Sequence, residues 1–472
     1  MTSNIRSIAF YLPQYHRIPE NDKWWGEGFT EWTNVRAARP RFSGHYQPHS
    51  PLEANYYDLT DPAAREAQAE LARQYGVYGF CYYHYWFNGK RLLERPFDEV
   101  LRSGHPDFPF CLCWANENWT RRWDGFEHDV LIAQKYSEQD CLRFIEALFP
   151  AFRDPRYIRV KGKPLLLIYR TGLLPDPKAA TEIWRDAAYR AGIGDLYLVR
   201  VENFIDRPEP EPAEIGFDAA VEFAPYWISR GQPIRNLREA DGPDVLLPDD
   251  LSVYDYETCM NNMMAKPLPP YKLFRGVFPC WDNTARRKTR STVFVNSSPV
   301  KYAYWLSQAL RHTIERYEGD ERLVFINAWN EWGEGCHLEP DEKYGLQYLE
   351  ATKLALQQGE LYAELRSLAK KPGFDYEEWY KDLQAAMPDL LGQVEQPTLH
   401  LRAFANFVQS VNMGIGDLQA EGSIYDQVRK RDELIAQLQG SLTWKLTAPA
   451  RKVIEKLYLA YLKVKDRSLE KR

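Results

Sequence analysis

Eight short runs rich in β-branched, aliphatic and aromatic residues recur along the chain, each leading into a polar, aromatic loop and often then into a helical pattern. That alternation restricts the fold to an α/β architecture with parallel strands. The runs are I-R-S-I-A-F-Y-L from Ile5, V-Y-G-F-C-Y-Y from Val77, F-P-F-C-L-C-W from Phe108 and P-L-L-L-I-Y from Pro164. They continue with L-Y-L-V-R-V from Leu196, F-D-A-A-V-E-F from Phe217, F-R-G-V-F-P-C-W from Phe274 and L-V-F-I-N-A-W from Leu323. Several are apolar on both faces, as strands covered by helices must be. Eight is the number that closes a (β/α)8 TIM-type barrel, and this is the expected fold.

Helices fit between the runs. Asp61 to Tyr75 opens with D-P, an N-cap followed by proline in the first turn, and Ser137 to Phe149 opens with a cap and early acids. Lys178 to Ala191 and Ser298 to Tyr317 carry the same periodicity. The segment from Ser229 to Tyr271, with its G-Q-P, D-G-P and P-L-P-P, reads as an insertion over one face of the barrel. The predicted domains are a barrel over residues 1–360, a helical extension over 361–420 and an amphipathic basic tail over 421–472.

Of the seven cysteines, Cys81, Cys111, Cys113 and Cys280 sit in apolar strand-like runs, which favours buried free thiols over disulfides. No apolar run reaches membrane-spanning length, and the first residues lack a signal-peptide pattern, so the expected location is cytoplasmic. The net charge of −6 is uneven: residues 445–472 hold nine Lys or Arg against three Asp or Glu, leaving −12 for residues 1–444. Nucleic acid is an unsuitable partner for so acidic a body. The tail combines Trp444, Tyr458 and Tyr461 with many lysines, a pattern that suits an anionic membrane surface, a partner protein or packing on the barrel.

In a parallel barrel, functional groups stand at the carboxyl ends of the strands. Here those ends read Y-L-P-Q-Y-H then W-W-G-E-G-F-T-E-W-T-N, Y-Y-H-Y-W-F-N-G-K, W-A-N-E-N-W-T-R-R-W-D-G, C-W-D-N-T-A-R-R and N-A-W-N-E-W-G-E-G. Five ends thus join aromatic rings to amides, acids and bases, as a sugar site requires: the rings take apolar C–H faces and the polar groups take hydroxyls. The candidate ligands are Tyr15, His84, Tyr85, Trp114, Asn116, Glu117, Trp119, Trp281, Asp282, Asn330 and Trp332. Glu117 and Asp282 fit sugar contacts, orientation of the acid pair, or structural acids satisfied by backbone amides, and His84 fits a ligand or a buried ring. Arg121, Arg122, Arg286 and Arg287 suit an anionic group such as a uronate or phosphate, or surface ion pairs.

Glu331 and Glu334 are the candidate catalytic acids. Glycosidic cleavage needs one protonated and one ionised carboxyl, and an i, i+3 spacing in a turn brings two close enough to perturb each other. The alternative is that one or both pair with arginines. Glu334 and His337 also have an E-x-x-H spacing, but glycines interrupt it and a strand precedes it, so neither metal nor cofactor is predicted.

The motifs F-Y-L-P-Q-Y-H-x-I-P-E-N-D-x-W-W-G-x-G-F-T-E-W, G-F-C-Y-Y-x-Y-W-F-N-G-K, C-W-A-N-E-N-W-T-R-R-W-D-G, W-D-N-T-A-R-R and N-A-W-N-E-W-x-E-G together resemble the WbsX family, also called the glycoside hydrolase family 99-like domain, over most of residues 5–355. The resemblance implies a (β/α)8 barrel and a bacterial role in O-antigen, lipopolysaccharide or capsule assembly. The tail's S-L-T-W-K-L-T-A-P-A-R resembles a segment of bacterial polysaccharide glycosyltransferases. Family 99 hydrolases are retaining endo-acting α-mannosidases and mannanases that use the sugar's own 2-hydroxyl as nucleophile, through a 1,2-anhydro sugar. By that resemblance Glu331 is the base for the 2-hydroxyl and Glu334 the acid/base. The chain departs from them at Gly333, where histidine is common, and in the W-W-G-E-G-F-T-E-W loop. The implied partner is an oligosaccharide or lipid-linked glycan, reached at the inner face of the cytoplasmic membrane. The alternatives are glycosyl transfer on that glycan or a non-catalytic glycan-binding scaffold; there is no G-x-G-x-x-G after a strand and no D-x-D metal motif.

Overall fold

Each of the eight apolar runs forms a strand: β1 Arg6–Tyr11, β2 Gly79–Phe87, β3 Phe110–Trp114, β4 Lys163–Ile168, β5 Tyr197–Glu202, β6 Ala219–Glu222, β7 Leu273–Val277 and β8 Leu323–Ile326. The computed structural model describes residues 5–121, 126–202, 210–225, 227–238, 244–247 and 249–369 of the 472. Neighbouring strands pair in parallel around the ring: Cys81 with Cys111, Leu112 with Leu166, Leu166 with Leu198, Val199 with Ala219, Val221 with Phe274 and Val277 with Ile326. Closure comes at β1, where Ala9 pairs with Phe80 on one side and Ile326 on the other. The sheet therefore has no open edge, and the carboxyl ends of all eight strands share one rim.

Helices Pro62–Gln74, Arg95–Ser103, Glu138–Arg153, Pro177–Arg190, Tyr256–Ala265, Pro299–Arg316 and Gln347–Ala369 stand between or after the strands. Between β5 and β6 the described residues hold the 3-10 turn Pro212–Ile215 instead. The caps act as their sequences require: Asp61, Ser137 and Ser298 each accept a hydrogen bond from a backbone N–H of the first turn. The helix Glu138–Arg153 runs four residues past its expected end and through Pro150, because Phe149, Ala151 and Phe152 are buried in the core. The seventh run divides: Pro279 lacks the N–H a ladder needs, so β7 stops at Val277 and Trp281–Asp282 pair antiparallel with Ser291–Val295. The strand Leu251–Asp255, from the Ser229–Tyr271 insertion, pairs with the other side of Ser291–Val295.

All seven cysteines are buried and unbridged. Met1–Ala363 forms one compact unit. Most of the expected helical extension and all of the basic tail lie outside the described residues. Among the described residues, no helix is long and apolar enough to cross a membrane.

Candidate functional site

β8 carries the two glutamates into place. Past Ile326 the chain forms a tight hairpin in which Asn330 and Glu331 pair with His337 and Cys336. The 3-10 turn Trp332–Glu334 occupies its tip, and Gly335 follows in the left-handed region at φ 54°. Asn330, fully buried, joins this hairpin to the end of β1: its Oδ1 accepts from Leu12 N at 2.7 Å and its Nδ2 donates to Leu12 O at 3.0 Å. Tyr15, also fully buried, donates its hydroxyl hydrogen to Asn330 O and accepts from Trp332 N at 3.2 Å. Beneath the turn, Glu339 receives hydrogen bonds from Trp332 Nε1, Tyr57, Gln68 and Trp329 Nε1. Burial nevertheless pushes Glu339 up to about 7.

At the tip of the hairpin, one guanidinium meets three carboxylates. Arg286 Nε lies 2.9 Å from Glu31 Oε1, Nη2 2.7 Å from Glu331 Oε2 and Nη1 3.0 Å from Glu334 Oε1. The Glu331 side chain is 7% exposed and that of Glu334 is 23% exposed. Burial pushes Glu331 up to about 8; Arg286 pulls it down, while Glu334 and Glu31 add to the rise. Glu334 is also raised by burial, against the pull of Arg286. Glu334 raises Glu331 in turn, so a proton held here belongs to the pair rather than to one carboxyl.

The two glutamates form part of the wall of a cavity of about 640 Å³ at the carboxyl rim. Of the candidate ligands, Tyr85, Glu117, Trp119, Trp281, Arg286 and Arg287 line it with them. Tyr83, Tyr169, Phe223 and Trp25 add aromatic surface, and Arg230, Asp249, Asp250 and Ser252 bring the insertion to its wall. Asp250 is held by Arg41 through two bonds of 2.6 and 2.8 Å, and Glu117 by Arg170 at 2.6 Å.

The other predicted ligands stand behind this wall. Trp114 is fully buried and stacked on Phe144 at 4.1 Å, while Trp332 is stacked on His337 at 3.7 Å. His84 is a buried ring beside Phe144, and burial lowers it to about 3. Asn116 spends its amide on Arg170 N, Arg170 O and Tyr136. Asp282 accepts from Gln47 and from Thr284 N and Oγ1 and lies 2.6 Å from His45 Nε2. Burial alone would raise it, but these bonds and the nearby histidines hold it below the usual carboxylate range. With Tyr15 and Asn330 these groups shape the site without facing the cavity. Arg122 and the Arg121 side chain lie outside the described residues.

Glu31 was not among the predicted ligands. It begins the helix Glu31–Ala37 in the long connection after β1, rather than standing at a strand end. Its signal is the acid within F-T-E-W, close behind the aromatic W-W-G-E-G.

Among the described residues, His49, Cys280 and His337 have potential metal-binding atoms within 4.8 Å of one another. These atoms already engage one another or the backbone: His49 Nδ1 lies 2.9 Å from His337 Nε2, and Cys280 donates to Gly335 O at 2.8 Å.

Against known proteins, the family model for glycosyltransferase WbsX matches residues 7–352. The chain is 45% identical over 349 residues to the uncharacterized protein WxcX of Xanthomonas campestris pv. campestris strain B100. That match covers 74% of this chain and 49% of WxcX, so the chain spans about half the length of the curated relatives it matches. Solved structures that resemble it include a GH99 endo-alpha-mannosidase from Bacteroides thetaiotaomicron, 16% identical with a TM-score of 0.45, covering 76% of this chain and 98% of that one. Another, a glycoside hydrolase-like protein, is 15% identical with a TM-score of 0.47, covering 74% of this chain and 93% of that one.

Proposed function

The chain belongs to the glycosyltransferase WbsX family, and on that premise we propose a carbohydrate-active enzyme of bacterial surface-polysaccharide assembly that acts at a glycosidic bond through Glu331 and Glu334. Both glutamates do pair with an arginine, but the observation that carries the catalytic reading is that they do so side by side in the wall of an aromatic cavity at the carboxyl rim. The cavity's volume is in the range of small-molecule sites, and Tyr85, Trp119 and Trp281 offer rings to sugar faces.

The two carboxyls divide the work by their surroundings. The pair shares one proton, and with that proton on Glu334 the ionised Glu331, the more deeply buried of the two, takes the proton of a sugar hydroxyl. That oxygen attacks the anomeric carbon as the bond to the leaving oxygen breaks, and Glu334 supplies the leaving oxygen with a proton. Glu334 then removes a proton from the incoming acceptor as the acceptor oxygen bonds the anomeric carbon, the bond from that carbon to the sugar's attacking oxygen breaks, and Glu331 returns its proton to that oxygen. Water as acceptor gives hydrolysis and another sugar's hydroxyl gives transfer; a lipid-linked glycan is the proposed substrate.

Replacement of Glu331 or Glu334 by Gln keeps the shape of each side chain and removes its ability to carry the proton. Each variant is expected to lower surface-polysaccharide output at least 100-fold in a deletion strain, on the order of what loss of general acid–base catalysis costs. Full output from both variants would remove the assignment. Incubation of the purified chain with the host's lipid-linked glycan, with and without nucleotide sugars, separates the reactions by mass: shortened chains mean hydrolysis and lengthened chains mean transfer.

A further inference from the structure

Gly333, between the two glutamates, has no side chain because another residue occupies the space. A β-carbon there would lie 1.8 Å from Glu31 Oε1, 2.8 Å from Glu31 Cδ and 3.1 Å from Arg286 Nε. Its backbone is outside the left-handed region, so the constraint is close approach rather than conformation. Glu31 is fully buried, and its Oε2 has no hydrogen-bond partner among the described residues. An acid in such a place costs several kcal/mol unless its charge is used, and packing alone would be served by an uncharged side chain.

The use lies in Arg286. Glu331 and Glu334 face Arg286 and, for Glu334, also Arg287; among the described residues Tyr15, Tyr83 and Tyr85 also face Glu331, and Cys336 faces both glutamates. An Arg286 cation acting on this pair by itself would favour both carboxylates in the ionised form and leave no proton for a leaving group. Glu31, bonded to Nε, offsets that charge while leaving Nη1 and Nη2 on the pair.

We propose that Glu31 is a positioning residue which fills the space above Gly333, fixes Arg286 between Glu331 and Glu334, and offsets its charge so that the pair can carry one proton. Its catalytic meaning rests on the acid–base reading of that pair. The electrostatic part can be tested without substrate. In the full chain labelled with carboxyl-¹³C glutamate, the Glu331 and Glu334 resonances are assigned by their loss in the two Gln variants and then titrated. Glu31→Gln is expected to lower the pair's titration by on the order of one pH unit; an unchanged titration overturns the proposal.

The steric part is read by thermal melting. Gly333→Ala should lower Tm strongly in the wild-type background and much less beside Glu31→Ala, whereas equal losses overturn the space-filling relation. If the titration shifts while Glu331→Gln and Glu334→Gln leave polysaccharide output intact, Glu31's electrostatic role stands and the glycosidic reading falls.

Discussion

A single amide shows how closely the position of the acids depends on their neighbours. Asn330 both donates to and accepts from the backbone of Leu12, tying the end of β1 to the hairpin that presents Glu331. Asn330→Asp keeps the acceptor for Leu12 N, but it turns the donor into an oxygen facing Leu12 O and places a charge in a fully buried site. The expected loss is about 2–4 kcal/mol, larger than for Asn330→Ala, which leaves two backbone groups unpaired but adds no repulsion. Urea unfolding of the two variants measures this, and an Asp variant as stable as wild type would show that the bond pair does not fix the hairpin. At this scale the sequence is readable in position but not in direction. Trp119 and Trp281 turn toward the cavity, while Trp114 and Trp332 turn into the core, because a ring near a strand end can point either way and only the packing of its neighbours decides. Glu31 was harder still: it is 255 residues from Arg286 in sequence, and no spacing rule links an acid in a connecting helix to an arginine beyond β7.

The strands themselves were legible because burial on both faces leaves an almost uninterrupted apolar signature; the charged exceptions on those strands carry their own energetics. Glu222 on β6 and Arg275 on β7 are side by side in the barrel wall, with Arg275 Nη1 2.8 Å from Glu222 Oε1 and side chains 2% and 10% exposed. Removal of Glu222 takes from the buried Arg275 its carboxylate partner and leaves Lys266 Nζ, 3.6 Å from both Glu222 and Glu202, with Glu202 alone of those two. Glu222→Ala should therefore cost about 3–5 kcal/mol, whereas Glu222→Leu with Arg275→Met should cost far less, since the pair's attraction does little more than offset its desolvation. Chemical denaturation of the single and double variants tests this; a double variant as unstable as the single would mean that the ion pair itself, rather than the avoidance of an unpaired charge, holds β6 to β7. Where sequence reading misplaced a boundary, the cause was local chemistry meeting tertiary burial. Pro279 ended β7 early, whereas Pro150 did not end its helix because apolar neighbours on both sides were already committed to the core.

Over the whole molecule, the buried titratable groups make stability depend on pH. Burial lowers His49 and His84 from 6.5 to about 3 and His312 from 6.5 to about 4. A histidine that stays neutral in the fold contributes stability present above 6.5 and lost as pH falls toward its folded value, because the unfolded chain then binds the extra proton. The buried acids act with the opposite sign. Burial raises Glu331 from 4.5 to about 8 and Glu339 from 4.5 to about 7, so each contributes stability present below 4.5 and lost as pH rises through that interval. Among the described residues His16 and His337 are also lowered, and Asp140, Glu222 and Glu334 are also raised. Below 6.5 the histidines and the acids therefore oppose one another, whereas above 6.5 the histidines are silent and the raised acids act. Thermal stability is thus expected to fall from about pH 6.5 toward about pH 8, each titrating group contributing up to about 1.4 kcal/mol per pH unit. Glu331→Gln removes the larger acid contribution without adding charge. Its melting temperature should exceed that of wild type at about pH 8 and lose much of the alkaline decline. Calorimetric melts of both proteins across this range decide the matter: an alkaline decline of unchanged steepness in the variant would mean that Glu331 is ionised in the fold and that the proton of the acid cluster lies elsewhere.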